Sequence, residues 1–260
     1  MSRAVDPERS AVKQLLQEAR IPGDGVLFVH CAFRNLRARG FDADRFIDAL
    51  LGERESGTLA MPAMSWRIVT PANPFFDELE TPSHVGVLAE RFRTRFASHR
   101  SLHPTHSVSA AGPRAVYLTG GHHLEETPVG LESPYGRATR EDAYVLMLGI
   151  GLERSTAIHH AEERIAPLVY LHGPEAAELY ECRARNGTVH AVRLRRHLKL
   201  NRDFPQFEEP LAQRGQLVRG DLAGTPWLAV SQRDLLAEVT AALERDPRAI
   251  IAPPGAPVIP

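Results

Sequence analysis

The sequence predicts an α/β fold, because short apolar runs alternate along the chain with amphipathic segments. The runs 25–30 and 144–148 are almost wholly apolar and adjoin glycines, as buried strands often do. Segments 7–19 and 231–243 instead place apolar side chains at helical spacing. With 43% hydrophobic residues, the 260-residue chain can bury a full core. We expect one domain over 1–260, the alternative being a smaller C-terminal lobe from about residue 172.

Composition and charge exclude several classes of protein. The formal net charge is −1, whereas nucleic-acid-binding domains usually carry a basic face. No apolar run approaches the ~20 residues that span a bilayer, and residues 1–6 lack a signal-peptide core. Cys31 and Cys182 lie far apart in sequence, which is typical of a reducing compartment. We therefore expect a cytoplasmic protein that has neither a nucleic acid nor a membrane as its partner.

The first strand leads into a loop that suits a phosphate group. A helix over 7–19 precedes the strand at 25–30, which opens into 31–36, and another helix is expected over 43–51. Backbone amides between a strand and a helix bind phosphate oxygens well. The loop lacks the glycine spacing of a dinucleotide or P-loop motif, so a purely structural role is the alternative.

The next stretch combines a strand, an ordered loop and a pair of histidines. A buried strand is expected within 56–66, and the proline-rich, aromatic loop after it is of a type that lines pockets. A helix is expected to start at 81–83. His103 and His106 follow it and are candidate metal ligands, but the chain has neither an HExxH nor a CxxC motif. A polar lining of a ligand cleft explains these histidines equally well.

The loop after the strand at 144–148 carries the main candidate for catalysis. Ser155 and Thr156 are good N-cap residues for a helix over about 158–165, where apolar residues recur at helical spacing. His159 then lies in the first turn of that helix. The helix dipole disfavours an imidazolium there, which favours a neutral ring that accepts a proton.

Two carboxylates follow this histidine on the same side of the expected helix. Glu162 and Glu163 lie three and four residues after His159, so either could orient its ring. A lone histidine more often only caps or packs, and that remains the alternative interpretation.

The C-terminal third is expected to add strands at 168–171, 187–194 and 224–230, and a capped helix over 231–243. Carboxylates that include Asp203 and Glu208 follow a basic run at 193–202. Most charged runs are solvated, but an acidic cluster near a neutral histidine would suit a cationic amine.

Several stretches occur together in the order of one known family. They are Val29-His30-Cys31-Ala32-Phe33, Gly57-Thr58-Leu59-Ala60-Met61-Pro62, Thr81-Pro82-Ser83-His84-Val85-Gly86, Arg100-Ser101-Leu102-His103-Pro104 with Ser107, Ser133-Pro134, and Leu148-Gly149-Ile150-Gly151 through His159-His160-Ala161-Glu162. This ordered set, which covers most of the chain, resembles the aminoglycoside 3-N-acetyltransferases, also called the antibiotic N-acetyltransferase group.

The resemblance implies a central mixed β-sheet flanked by helices and acetyl-CoA as co-substrate. The implied reaction is acetylation of a cationic amine, the 3-amino group of the 2-deoxystreptamine ring of an aminoglycoside antibiotic. The general base would be His159, with Glu162 as its partner and Thr156 beside the thioester. No metal is expected, and the protein would be a monomer or a homodimer.

The resemblance also assigns two sets of binding residues. Those expected to bind the coenzyme are His30, Cys31, Ala32, Phe33, Arg34, Arg100 and Ser107. Those expected near the amine substrate are the acidic residues Asp77, Asp203 and Glu208.

Two positions depart from the family pattern. Cys31-Ala32 stands where the family has Ser-Ser, which removes hydroxyl contacts to phosphate but leaves backbone contacts. Ala157 stands in place of a motif threonine, which removes one possible hydrogen bond near the thioester.

Four alternatives are open at this level. Cys31 could be a nucleophile, with His30 or His159 as its base. A metal-dependent hydrolase could be built on His103, His106, His159 and Glu163. The protein could bind coenzyme A without catalysis, or it could acetylate a different amine in biosynthesis.

Overall fold

The computed structural model describes residues 7–253 and 255; residues 1–6, used above to argue against a signal peptide, lie outside that range. The strands are β1 (Val26–Cys31), β2 (Thr58–Pro62), β3 (Phe75–Asp77), β4 (His99–Arg100), β5 (Val108–Ala111), β6 (Ala143–Leu148), β7 (Glu178–Arg183), β8 (Val189–Leu194), β9 (Leu217–Leu222) and β10 (Thr225–Ser231). The helices are α1 (Pro7–Glu18), α2 (Arg34–Ala38), α3 (Ala43–Gly52), α4 (Val87–Arg95), α5 (Ala115–Thr119), α6 (Pro134–Ala138), α7 (Ile158–Glu162), α8 (Glu208–Gln213) and α9 (Gln232–Arg245). Among the described residues, none of these helices is long and apolar enough to span a bilayer.

The main sheet is mixed, as the resemblance implied. Its seven strands have the order β4-β5-β2-β1-β6-β10-β9. β1 runs parallel to β2 and β6, whereas β5 and β10 join them in antiparallel pairs. The register places Cys31 of β1 opposite Leu148 of β6. The carboxyl ends of β1, β2 and β6 therefore meet at one edge, which is where open α/β sheets bind ligands.

Apolar side chains cover both faces of this sheet because successive strand residues point to opposite sides. On β1, Val26 and Phe28 join the core beneath α5, α6, α7 and α9. Leu27 and Val29 join the core beneath α1, α3 and α4. Helices thus shield both faces, as the long apolar run of β1 predicts.

A second, smaller sheet has the strand order β3-β7-β8. It has its own core, which includes Phe76, Tyr180 and Cys182. In the segment after β8, His197 forms an isolated bridge with Leu171. Residues after 172 thus contribute to both sheets, because β9 and β10 lie in the main one.

Most predicted elements are confirmed within a few residues, but some are wrong. α4 begins at Val87 rather than at 81–83, after Gly86 at φ +124°, a conformation that an α-helix cannot contain. The expected strand at 168–171 is reduced to the single bridge at Leu171. β7 and β9 were not predicted.

Candidate active site

A cleft of about 1390 Å³ opens at the edge where β1, β2 and β6 end. The loops after β1 and β6 supply one group of lining residues, which we call the first wall (residues 30–35, 37, 149, 150 and 153–156). The loop after β2, His172 before β7 and the segment after β8 supply another group, which we call the second wall (residues 64, 66, 67, 172 and 196–199). A cleft of this size at this edge is the usual place for a ligand in such a fold.

His159 lines the cleft and stacks on His197 of the second wall. Its Nδ1 is 2.7 Å from Oε2 of Glu162, three residues along α7. The His159 side chain is 19% exposed and that of Glu162 is fully buried. Because an ionised carboxylate can only accept hydrogen bonds, the neutral ring carries its hydrogen on Nδ1. The lone pair on Nε2 is then available to accept a proton in the cleft.

Glu162 is held in its ionised form. Burial acts to raise its pKa, but His159 and Arg202 outweigh that effect and lower the pKa to about 2. Nε of Arg202 donates to Oε1 of Glu162 at 2.7 Å. The same guanidinium donates to the carbonyls of Leu198 and Leu200, both at 3.1 Å. Arg202 therefore fixes the carboxylate that orients His159.

The helix that carries His159 is shorter than the sequence predicts. α7 ends at Glu162, and its N-cap position is Ala157, which makes no side-chain cap. Neither Ser155 nor Thr156 caps it as expected. A single helical turn aligns few peptide dipoles, so the contact with Glu162, rather than the helix dipole, governs the ring of His159.

Aromatic rings hold His159 on two sides. The ring of His197 stacks on it, with centroids 4.5 Å apart and planes inclined by 25°. Phe204 meets it edge-on, at 5.2 Å and 70°. His106 lies beyond His197, at 5.8 Å. Burial, with smaller effects from neighbouring histidines, lowers the pKa of His197 and of His106 well below the ordinary value. Both rings are therefore neutral at pH 7 and place no positive charge beside His159.

The five residues predicted to bind the coenzyme after β1 all line the first wall: His30, Cys31, Ala32, Phe33 and Arg34. Their contributions differ. The amide of Ala32 donates to the carbonyl of Leu148 at 2.9 Å, so it belongs to the sheet. Phe33 is buried against Phe46, with ring centroids 5.7 Å apart. Arg34 is exposed at the start of α2.

His30 and Cys31 are both in their neutral forms. Burial lowers the pKa of His30 to about 4, and its Nε2 has no hydrogen-bond partner among residues 7–253 and 255. Burial raises the pKa of the Cys31 thiol to about 12. Since the thiolate is the nucleophilic form, this environment is unfavourable for covalent catalysis at Cys31.

Arg100 and Ser107 do not line the cleft. The Arg100 guanidinium donates to Ser107 Oγ at 3.0 Å and to the carbonyls of Ala63 and Thr81 at 2.9 and 2.6 Å. Ser107 Oγ donates to the same Ala63 carbonyl at 2.7 Å. These contacts fasten β4 and β5 to the loop after β2. Binding of the coenzyme by the two residues stays a prediction.

The predicted acidic residues Asp77, Asp203 and Glu208 also lie outside the cleft lining. Asp77 accepts hydrogen bonds from the amides of Leu79 and Glu80, both at 2.8 Å, and pairs with Arg183. Its carboxylate is therefore engaged in a turn and an ion pair, and its assignment to the amine substrate stays a prediction.

Glu208 has a structural contact through its carboxylate, and Asp203 has one through its backbone. Oε1 of Glu208 accepts from the amide of Leu152 at 3.1 Å and so supports the loop after β6. The Asp203 amide donates to the carbonyl of Ile250 at 2.8 Å. The expected acidic cluster around the base is thus absent from the described lining of the cleft, apart from Glu153.

One cluster of described residues has the composition of a metal site. One ligand atom from each of His159, Glu162 and His197 lies within 4.8 Å of the others. This set differs from the His103, His106, His159 and Glu163 considered above. Nδ1 of His103 is not available as a metal ligand, because it accepts from the amides of Thr105 and His106. Arg202 already binds Glu162, and stacked rings direct their nitrogens side by side rather than at a common point. The arrangement fits an imidazole–carboxylate pair better than a metal centre.

Comparison with known proteins settles the family. The family model described as aminoglycoside 3-N-acetyltransferase matches residues 28–244. The chain belongs to the aminoglycoside 3-N-acetyltransferase family. The matched range includes both walls of the cleft together with α7.

Curated relatives in this family share about a third of their residues with the matching part of the chain. Aminoglycoside N(3)-acetyltransferase III of Pseudomonas aeruginosa is 32% identical over 155 residues, which are 59% of this chain and 50% of that protein. Aminoglycoside N(3)-acetyltransferase IV of Salmonella sp is 36% identical over 154 residues, 58% of this chain and 56% of that protein. The chain thus spans about half the length of these curated relatives.

Solved structures in the family have the same fold. The apoenzyme of aminoglycoside acetyltransferase AAC(3)-IVa is 26% identical, with a TM-score of 0.76 over 96% of this chain and 92% of that one. A mutant of the same acetyltransferase in complex with a gentamicin gives a TM-score of 0.79, over 98% of this chain and 95% of that one. AAC-IIIb with CoASH is 22% identical, with a TM-score of 0.76 over 94% of this chain and 98% of that one. This likeness shows the fold alone.

Both departures from the pattern of the aminoglycoside 3-N-acetyltransferase family have structural counterparts. Ala32 packs against Gly149, whose φ of +72° lets the loops after β1 and β6 approach closely. Ala157 is fully buried in the core beneath α7. A threonine hydroxyl at 157 would need a hydrogen-bond partner there, so alanine suits an apolar environment.

Part of the site was not predicted from the sequence. His197, Arg202 and Lys199 belong to the basic run 193–202, which was expected to be solvated, yet all three line the cleft. Trp66 and His84, whose rings contact at 4.6 Å, line it as well. The apolar Leu198 and Leu200 within a basic run were the only local sign that this segment passes over the core.

Proposed function

We propose that this protein is an acetyl-CoA-dependent N-acetyltransferase that acts by direct transfer, with His159 as the general base. The single observation that carries the proposal is the His159–Glu162 pair, at 2.7 Å, facing a large cleft. The first wall suits the coenzyme. Amides near the start of α2 and the exposed side chains of Arg34 and Arg154 are available there for phosphate oxygens.

Residues in and next to the cleft could each take a separate role in acetylating an amine. Acetyl-CoA would supply the acetyl group as a thioester. Nε2 of His159 would accept a proton from the amine as the amine nitrogen attacks the carbonyl carbon, so that a C–N bond forms and the C–S bond breaks. The coenzyme would leave as a thiolate, and the imidazolium of His159 could return the proton to it, releasing CoASH. Glu162 would stabilise the imidazolium that results. Thr156, which lines the cleft beside α7, is our candidate for contact with the developing oxyanion.

Two classes of amine are candidates for the substrate that accepts the acetyl group. The names of the relatives and the gentamicin complex support the 3-amino group of an aminoglycoside. A different amine is the second candidate. Coenzyme binding is supported by the acetyltransferase family to which the chain belongs.

The proposal is tested by thiol release from acetyl-CoA, with gentamicin, apramycin and a panel of other amines as acceptors. We expect His159→Ala to lower turnover by roughly 10²–10⁴-fold while coenzyme binding is retained. Near-normal turnover in that variant would disprove the role of His159. Coenzyme binding without transfer to any amine would instead indicate a non-catalytic binding protein.

A further inference from the structure

The proposed transfer does not use the buried carboxylate of Glu163. This side chain is 2% exposed, and its Oε1 lies 2.8 Å from Nε2 of His197. The same oxygen accepts from the amide of Val129 at 2.9 Å. Adjacent carboxylates at the end of α7 therefore contact two different imidazoles, Glu162 that of His159 and Glu163 that of His197.

The backbone of the segment after β8 is fixed beside that carboxylate. The amide of Leu198 donates to the carbonyl of Tyr170 at 2.7 Å. The carbonyl of Arg196 accepts from the amide of His172 at 3.0 Å. His197 lies between these two hydrogen bonds, and its side chain is 11% exposed. The position of its ring is therefore set by backbone contacts as well as by the carboxylate.

The ring of His197 restrains a motion of His159 that the contact with Glu162 leaves free. Nδ1 of His159 lies 2.7 Å from Glu162, and a contact at one ring atom still lets the ring swing about that contact. The His197 ring covers one face, with centroids 4.5 Å apart and planes inclined by 25°. The stack therefore supplies a second constraint, which keeps Nε2 of His159 pointing in one direction.

The stacked ring also suits the charge that His159 acquires in the transfer. Burial lowers the pKa of His197 well below its ordinary value. Of its charged and titratable neighbours, His159 and Arg202 act in the same direction and Glu162 in the opposite one. The His197 ring is therefore uncharged at pH 7, and the face of an uncharged aromatic ring attracts a cation such as an imidazolium.

Proton transfer to Glu163 is another role for His197, and the geometry does not favour it. Nε2 of His197 has no aligned hydrogen-bond partner among residues 7–253 and 255, although Oε1 of Glu163 is 2.8 Å away. A misaligned N–H···O contact is a weak hydrogen bond and a poor route for a proton. The aromatic ring is therefore what His197 contributes.

We propose that His197 is a positioning residue for the transfer, whose ring stacks on His159 and holds the base in its productive orientation. Glu163 and the backbone in turn hold His197. The inference rests on the proposed N-acetyl transfer and adds a residue that acts through the base rather than on the substrate. This role needs the aromatic ring of His197 and does not need its nitrogens.

Two substitutions separate the ring of His197 from its nitrogens. His197→Phe keeps an aromatic ring and removes the polar contact with Glu163, whereas His197→Gln keeps a side-chain N–H for that contact and removes the ring. We expect His197→Gln to lower kcat roughly 10- to 100-fold and to leave the KM for acetyl-CoA unchanged. We expect His197→Phe to keep kcat within about threefold of the wild type, because the stack persists.

Steady-state thiol release from acetyl-CoA measures both parameters, with gentamicin or, if gentamicin is not acetylated, with the best acceptor of the amine panel. The control is His190→Gln on β8, which removes a ring 4.4 Å from that of His123, outside the described cleft lining, and should change neither parameter. Thermal unfolding shows whether each variant is folded, and His197→Tyr or His197→Asn replaces one that is not.

An active His197→Gln variant with an impaired His197→Phe variant would overturn the inference in favour of proton transfer to Glu163. Equal kcat values in the two variants, or a change confined to the KM for acetyl-CoA, would overturn it as well. These outcomes leave the proposed transfer intact. Absence of thiol release by the wild type with every amine would overturn both the transfer and the inference.

Discussion

Oε2 of Glu162 lies 2.7 Å from Nδ1 of His159, and its other oxygen lies 2.7 Å from Nε of Arg202. One buried carboxylate therefore links the proposed base on α7 to a cation from the segment after β8. Arg202, which lies forty residues after Glu162 in the sequence, therefore helps to set the ring orientation of His159.

Replacing Glu162 by glutamine should impair the chemical step. The glutamine amide can donate to Nδ1 of His159, which would put the ring hydrogen on Nε2 and remove the acceptor from the cleft. We expect kcat to fall roughly 10- to 1,000-fold with the KM for acetyl-CoA preserved. Steady-state thiol release measures both parameters. An unchanged kcat would show that Glu162 does not act through the ring, and Glu244→Gln, on the exposed face of α9, is the control.

Removing the cation that binds Glu162 should destabilise the fold. Arg202 is 12% exposed and its partner is fully buried, so Arg202→Met leaves a buried carboxylate with one partner fewer. We expect the free energy of unfolding to fall by about 3 kcal/mol. The control is Arg219→Met, whose side chain is 45% exposed and pairs with Glu208 at 3.3 Å. That change should cost less than ~1 kcal/mol. Equal losses in urea unfolding at pH 7 would contradict the prediction.

Glu163 should make stability fall as pH rises. Burial raises its pKa from 4.5 to about 7, despite the hydrogen bonds that it accepts. A raised pKa in the folded state contributes stability that is fully present below pH 4.5 and is lost as pH rises through about 7.

The variant Glu163→Gln mimics the protonated form and should remove this pH dependence. We expect it to be more stable than the wild type at pH 8 by up to a few kcal/mol, with a much smaller difference at pH 4.5. Chemical unfolding across this pH range provides the measurement. The raised pKa of Glu163 would be refuted if the free energy of unfolding rose more steeply between pH 4.5 and 8 in the wild type than in the variant.

Cys31 should be dispensable and unreactive. Its thiol lines the cleft, but burial raises its pKa to about 12, so it is protonated at neutral pH. We expect Cys31→Ala to keep turnover within about threefold of the wild type, and iodoacetamide at pH 7 to leave the thiol unmodified. Mass spectrometry after incubation with acetyl-CoA alone checks the covalent route. An acetyl adduct on Cys31 would support it and contradict direct transfer.

Elements with a strong hydrophobic pattern were predictable, and those that depend on pairing were not. β1, β6 and α9 follow from apolar runs, helical spacing and a serine cap, since Ser231 Oγ accepts from the amide of Asp234. β7 and β9 contain charged residues, and β9 also contains Gly220. Their strand state comes from hydrogen bonding to neighbouring strands, which local sequence does not report.

The sequence alone determined the fold family and the local part of the site. Apolar periodicity specifies strands and helices directly. Residues three or four apart on a helix are neighbours, so spacing alone narrowed the partner of His159 to Glu162 or Glu163. Only the tertiary structure decided which charges reach the cleft. Asp77 was expected there and turns away to Arg183, whereas Arg202 and Lys199 were expected in solvent and line it. The reason is that burial and ion pairing are set by contacts between distant segments, and a charged side chain carries no local signal of the partner it will meet.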